Sequence, residues 1–238
     1  MDARFQFDIQ PQPDETTCGP TCLHAVYHYY GDDANLAEVI EQTPKLEEGG
    51  TLAAFLAGHA LRHGYDATIY TYNLNVFDPT WFGDNPPDVR SRLRARYEHK
   101  RSPRLRKAIQ AYLDVLEKGG TIRFEDLTPK LIQGYLSAET PILTGLSATY
   151  LYRCAREYGP NDDDDDVRGD PAGHFVVLCG YDKASREVLV ADPLLPNPFT
   201  EDNYYQVNID RVICAILLGV LTYDANLLVI KPREKRER

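Results

Sequence analysis

Apolar residues recur at helical spacing through the first third of the chain. Leu23, Val26, Tyr27 and Tyr30 stand at i, i+3, i+4 and i+7, the stripe of a helix that starts near Cys18 and stops before Gly31. Leu36, Val39 and Ile40 predict a short helix ending before Thr43-Pro44, and Leu52, Phe55, Leu56 and His59 predict another, ended by Gly64. His59 falls on that apolar face, which assigns it a core or interhelix role. Residues 67–72, rich in β-branched and aromatic side chains, then read as a strand. From Pro141 onward the pattern changes to short apolar runs bounded by turn residues, at 141–145, 173–181, 187–191, 204–209 and 226–230. Residues 182–185 read as the turn of a hairpin between the second and third of these. The sequence predicts one α+β domain over residues 1–238, with a helical N-terminal half and an antiparallel sheet half.

Two segments interrupt that plan. Residues 88–118 predict a helical insertion, because Ser102-Pro103 starts a helix with Leu105, Ile109, Tyr112 and Leu116 on one face. Arg90, Arg92, Arg94, Arg96, Lys100, Arg101, Arg104, Arg106 and Lys107 make residues 90–107 cationic, a surface available to an acidic partner. Arginines at i, i+2 point to opposite sides of a helix, however, which favours a solvated surface hairpin over a tuned binding stripe. The other interruption is Asn161 followed by five aspartates, 162–166. Lacking the glycine and closing glutamate of an EF-hand loop, it reads as a mobile, solvated loop.

Composition narrows the classes of partner. A chain of 238 residues with 43% hydrophobic and 26% charged residues can bury a substantial core. The net charge of -10 disfavours nucleic acid, whose affinity rests on neutralising phosphates. The apolar run 212–221 is about half of what a bilayer span needs, and residues 1–4 begin no signal peptide, so no membrane association is expected. Five cysteines without a disulfide-scaffold spacing suit a reducing compartment, and a cytoplasmic location is the expectation.

The candidate chemistry begins at Cys18. Pro20 fits the first turn of a helix, where a missing N–H costs nothing, so the thiol sits at the positive end of the helix dipole, a position that favours thiolate. First-turn N–H groups lack helical partners, so the Cys18 N–H can donate to an oxyanion, with the Gln12 carboxamide as a second donor. A zinc reading of Cys18, Cys22, His24 and His28 fails because the histidines point about 120° away from the cysteines on the helix. Cys-x-x-x-Cys also lacks the spacing of a thioredoxin-like pair, and Cys22 reads as packing. The thiolate's base is supplied by His174, at the entry to an apolar strand. Asp192, at the end of the partner strand, is placed to bond one imidazole nitrogen and leave the other facing Cys18.

Gln12, the run Cys18-Gly19-Pro20-Thr21-Cys22, Gly173-His174 ahead of an apolar strand, and Ala191-Asp192-Pro193 resemble the peptidase C39 family of papain-like cysteine peptidases, in particular its stand-alone C39-like members without a fused exporter. The resemblance implies a papain-like fold with the cysteine on the helical half and the histidine and aspartate on the sheet. It implies Cys18 as nucleophile, His174 as general base and acid, Asp192 as the residue orienting it and Gln12 as an oxyanion-hole donor. The expected substrate is a peptide or protein, and the chemistry calls for no cofactor or metal. Two other functions use the same residues: acyl transfer to an amine, as in the phytochelatin synthases that resemble this group, and peptide binding without cleavage.

Overall fold

The structure, a computed structural model, describes residues 3–46 and 49–233. Its helices are α1 (Cys18–Tyr29), α2 (Leu36–Gln42), α3 (Ala53–Arg62), α4 (Val89–His99), α5 (Pro103–Glu117), α6 (Pro129–Ser137), α7 (Ala148–Tyr152) and α8 (Ile209–Leu218). Its strands are β1 (Ala3–Arg4), β2 (Tyr65–Thr71), β3 (Thr121–Arg123), β4 (Ile142–Ser147), β5 (Glu157–Tyr158), β6 (Asp163–Asp164), β7 (Gly173–Asp182), β8 (Glu187–Ala191), β9 (Tyr204–Asn208) and β10 (Asn226–Pro232).

One sheet runs in the order β3-β2-β10-β4-β7-β8-β9, with β1 paired to the far end of β7. Its pairings are antiparallel except β2 with β3. The β7–β8 hairpin turns through residues 182–185, and Val177 lies opposite Ala191 after a bulge between Leu178 and Gly180. The fold is thus α+β, divided as the resemblance implies: α1 carries the cysteine, and the antiparallel sheet carries the histidine on β7 and the aspartate just past the end of β8.

Helix α1 packs across β7 and β4. The sequence pattern predicts one apolar stripe on it, yet every residue from Cys18 to Tyr27 is buried. Enclosure by the sheet on one side and by α2 and α3 on the other explains why, because a helix inside a core needs no polar face. Just past the helix end, Gly31 adopts φ 78°, a left-handed conformation that glycine takes without a Cβ penalty. His59 is a core residue of α3: the Tyr27 hydroxyl meets its Nδ1 at 2.9 Å, and burial pushes its pKa down to about 4.

The two interrupting segments are ordered by their own side chains. Arg90 donates to the Leu116 carbonyl at 2.8 Å, Arg94 pairs with Glu117 at 3.1 Å, and Lys107 donates to the Lys45 carbonyl at 2.8 Å. Arg106 lies 3.8 Å above the Tyr97 ring. These cations tie α4 and α5 together and to their surroundings. The aspartate run departs from the loop that its composition predicts: Asp163 and Asp164 form β6, paired with β5 in a small separate ribbon. Arg168 holds Asp165 at 2.6 Å and Arg156 donates to the Asp166 carbonyl, so two arginines outside the run offset its repulsion. No helix among the described residues is long and apolar enough to cross a membrane.

Candidate active site

The thiol of Cys18 is held at the first turn of α1. Thr17, which precedes it, turns its hydroxyl back to donate to the Asp14 carbonyl at 2.9 Å, so no side chain caps the helix. The N–H of Cys18 therefore has neither a helical nor a side-chain acceptor assigned to it, which leaves it open to an anion. Cys22, one turn on, is fully buried and donates its S–H to the Phe175 carbonyl at 3.2 Å. Burial first, and then the nearby Cys18 and Asp192, push its thiol well up, which fits an inert packing residue.

Four consecutive strands of the sheet build the other half. His174 enters β7 opposite Leu146 of β4, Asp192 follows β8, and Tyr205 lies on β9 opposite Val190. Tyr152 ends α7, the short helix that leaves β4. His174 Nε2 donates to Asp192 Oδ1 at 2.8 Å; the carboxylate can only accept, so this nitrogen carries the proton. The Cys18 side chain reaches His174 as a hydrogen-bond partner. Burial alone would lower the His174 pKa, but the Asp192 charge, its hydrogen bond and the Cys18 sulfur override that and push it up to about 10.

Asp192 is itself fully buried yet held below the usual carboxylate range. Desolvation works against ionisation, and His174 together with the Tyr152 and Tyr205 hydroxyls outweighs it. The backbone around it is fixed by buried Asn203, whose amide donates to the Asp192 carbonyl at 2.6 Å and whose own carbonyl accepts the Asp192 N–H at 2.8 Å.

Gln12 lies half-buried on the loop leading to α1. Its N–H donates to the Pro193 carbonyl at 2.8 Å, which ties this loop to the one carrying Asp192. Its side-chain amide donates to the Asp14 carbonyl at 3.0 Å, while Oε1 is buried without a partner. The structure thus brings Cys18, His174 and Asp192 into one chain of contacts and sets Gln12 beside it, with one amide hydrogen already used inside its own loop.

Cys18 opens onto a cleft of about 480 Å³. Glu15, Glu157, Asp170 and Asp224 line it, against one cation, Arg104, among the described lining residues; Leu46, Phe175 and Leu221 supply its apolar part. Burial pushes the Asp224 carboxyl up to about 7, against the opposing pull of Thr222, Arg104 and His174. Glu157 is raised too, by burial first and then by Asp162, Glu15 and Asp164. None of these four carboxylates carries a sequence motif, and neither do Tyr152, Tyr205 and Asn203; their roles exist only after folding.

Gly173 makes room for Asp224. A Cβ at this position would lie 2.1 Å from Asp224 Oδ2 and 2.7 Å from Thr222 Oγ1. Gly173→Ala should displace both side chains and cost about 1–3 kcal/mol, read as a lower denaturant midpoint. An unchanged midpoint would mean that the wall yields freely.

The Peptidase_C39 like family matches this chain over residues 4–210. No curated protein matches it. Among solved structures, the chain is similar to the peptidase domain of Streptococcus ComA, a bifunctional ABC transporter involved in a quorum-sensing pathway: 14% identity, 96% of this chain and 100% of that one covered, TM-score 0.44. It is similar to a double glycine motif protease from an AMS/PCAT transporter in complex with its leader peptide, at 14% identity, 97% and 95% coverage and TM-score 0.45. It is also similar to xylellain, a cysteine protease from Xylella fastidiosa, at 16% identity, 98% and 86% coverage and TM-score 0.46.

Proposed function

The chain belongs to the Peptidase_C39 like family, and from that premise we propose that it is a cysteine peptidase that hydrolyses a peptide bond through Cys18, His174 and Asp192. The observation that carries this reading is the single line of contacts from a thiol at a helix N-terminus, through an imidazole, to a buried ionised carboxylate. Transfer of the Cys18 proton to His174 gives the attacking thiolate, and Asp192 holds the imidazolium that results, whose pKa is pushed up to about 10.

The thiolate attacks the substrate carbonyl. The Cys18 N–H and the second amide hydrogen of Gln12 stabilise the oxyanion that forms. His174 then passes its proton to the leaving amine, and water attacks the thioester with His174 acting as base. Asp192 keeps the Nε2–H tautomer throughout, so the ring nitrogen that exchanges protons is the one facing Cys18.

The carboxylates of the cleft favour a peptide carrying Lys or Arg near the bond that is cut. Cationic peptides should be cleaved at least about tenfold faster in kcat/KM than acidic counterparts, because a cleft of one charge sign raises the local concentration of opposite charge. That advantage should shrink with added salt. Since Asp224 gains its negative charge as pH rises through about 7, the preference should be larger at pH 8 than at pH 6. Equal rates for both peptide classes would refute this part of the reading. The reaction itself is tested by incubating wild type and Cys18→Ala with a diverse peptide pool and reading products by mass spectrometry; identical product lists would reject a peptidase.

A further inference from the structure

A carboxylate as deeply buried as Asp192 would ordinarily take up a proton to escape desolvation. Here each oxygen receives two donors instead. Oδ1 accepts from His174 Nε2 at 2.8 Å and from the Leu194 N–H at 2.9 Å. Oδ2 accepts from the Tyr152 hydroxyl at 2.5 Å and the Tyr205 hydroxyl at 2.7 Å. The two phenols come from different elements, one from the end of α7 and one from β9, and meet at the same oxygen. Phe199 stands edge-on to both rings, with centroids 5.5 Å from Tyr152 and 4.9 Å from Tyr205, and so fixes their positions.

We propose that Tyr152 and Tyr205 are paired positioning residues whose hydroxyls keep the Asp192 carboxylate ionised and oriented, and so set the pH range in which imidazolium and thiolate coexist at His174 and Cys18. The proposal rests on the reading of those two residues as base and nucleophile.

Hydrogen bonds to a charged carboxylate stabilise that form, and O–H···O⁻ bonds are among the stronger ones. Neither phenol gives up its proton in the working range, because burial, reinforced by the Asp192 charge, raises both far above the ordinary tyrosine value. Loss of one hydroxyl leaves Oδ2 with a single donor, and the carboxylate, still ionised, becomes more basic and holds the His174 proton more tightly. His174 then releases its proton at higher pH, which moves the alkaline limb of activity up.

The other titratable groups acting on this pair are Cys18 and Cys22 from α1, Glu157 from β5, and Asp224 ahead of β10. Tyr205 also acts on Cys22, and the two tyrosines hydrogen-bond each other, so the single variants are read beside the double.

The test is the His174 titration in the full chain, followed by NMR of labelled histidine. Tyr152→Phe and Tyr205→Phe should each raise its midpoint by about one pH unit, and the double variant by more. In kcat/KM the alkaline limb should move with it. Tyr152→3-fluorotyrosine, a stronger donor of nearly the same shape, should lower the midpoint, and it decides the matter even where a phenylalanine variant fails to fold. A midpoint that stays put in these variants, whatever happens to melting temperature, overturns the proposal and reduces both tyrosines to packing. A midpoint that moves in a protein that cuts no peptide supports the proposal and removes only the peptidase reading.

Discussion

Cys18→Ala should lower peptide hydrolysis by about 10⁴-fold or more, the scale on which removal of a nucleophile acts when the rest of its constellation stays in place. The substitution removes one sulfur from a buried position at the start of α1. Its cost in stability should stay within about 1–2 kcal/mol, because α1 is held by its packing on β7 and β4. The variant should therefore fold, retain the His174–Asp192 pair and bind peptide without turnover. Rates measured with a cleaved peptide, beside thermal unfolding of both proteins, check this. A folded Cys18→Ala retaining a tenth of wild-type activity would place the nucleophile elsewhere.

Asp192→Ala should have the largest effect on stability. It leaves the His174 Nε2–H, the Leu194 N–H and the Tyr152 and Tyr205 hydroxyls around a void with no acceptor. Breaking a buried charged pair costs about 3–5 kcal/mol, read by denaturant unfolding. Activity should fall by about 10³–10⁴-fold, since His174 loses the group that selects its tautomer. Asp192→Asn should be milder at about 1 kcal/mol: its amide oxygen can serve His174 and Leu194, and its NH₂ can donate to phenols that rotate to accept. The gap between wild type and Asp192→Ala should depend on pH. His174 is raised in the folded state, so its share is complete below about 6.5, the ordinary histidine value, and is lost as pH rises through about 10. Asp192 is lowered, so its share is present above 3.8 and is lost as pH falls below that. The widest gap belongs between those limits, and a gap independent of pH would mean that the ion pair contributes little.

Much of the frame was legible in the sequence because local rules act over a few residues. Pro20, Gly31 and the stripe from Leu23 to Tyr30 delimit α1, and the turn at 182–185 delimits the hairpin that brings His174 near Asp192. Burial of nearly the whole of α1 was not legible, since a helix shows its exposed face only once its neighbours are known. Helices α6, α7 and α8 escaped the periodicity reading. The aspartate run is solvated as its composition predicts, but its two-residue strand was not legible, because its partners, Arg156, Arg168 and β5, act through contacts that composition does not encode. At the site, Cys18, His174 and Asp192 belong to recognisable local patterns. Tyr152 and Tyr205 are two of 16 tyrosines, and nothing in their neighbours marks them. They converge on Asp192 only because β4, β7, β8 and β9 are adjacent in the sheet.

The place of β10 bears on how such a protein comes to life on the ribosome. It is the last described strand in chain order, yet it sits between β2 and β4 and is the link by which the sheet joins the strands of the helical half to those bearing His174 and Asp192. A nascent chain therefore exposes its cysteine long before the sheet can close around it. The sheet that joins the two halves is completed only when residues 226–232 are available, so the last of the described strands to be synthesised closes the frame of the site.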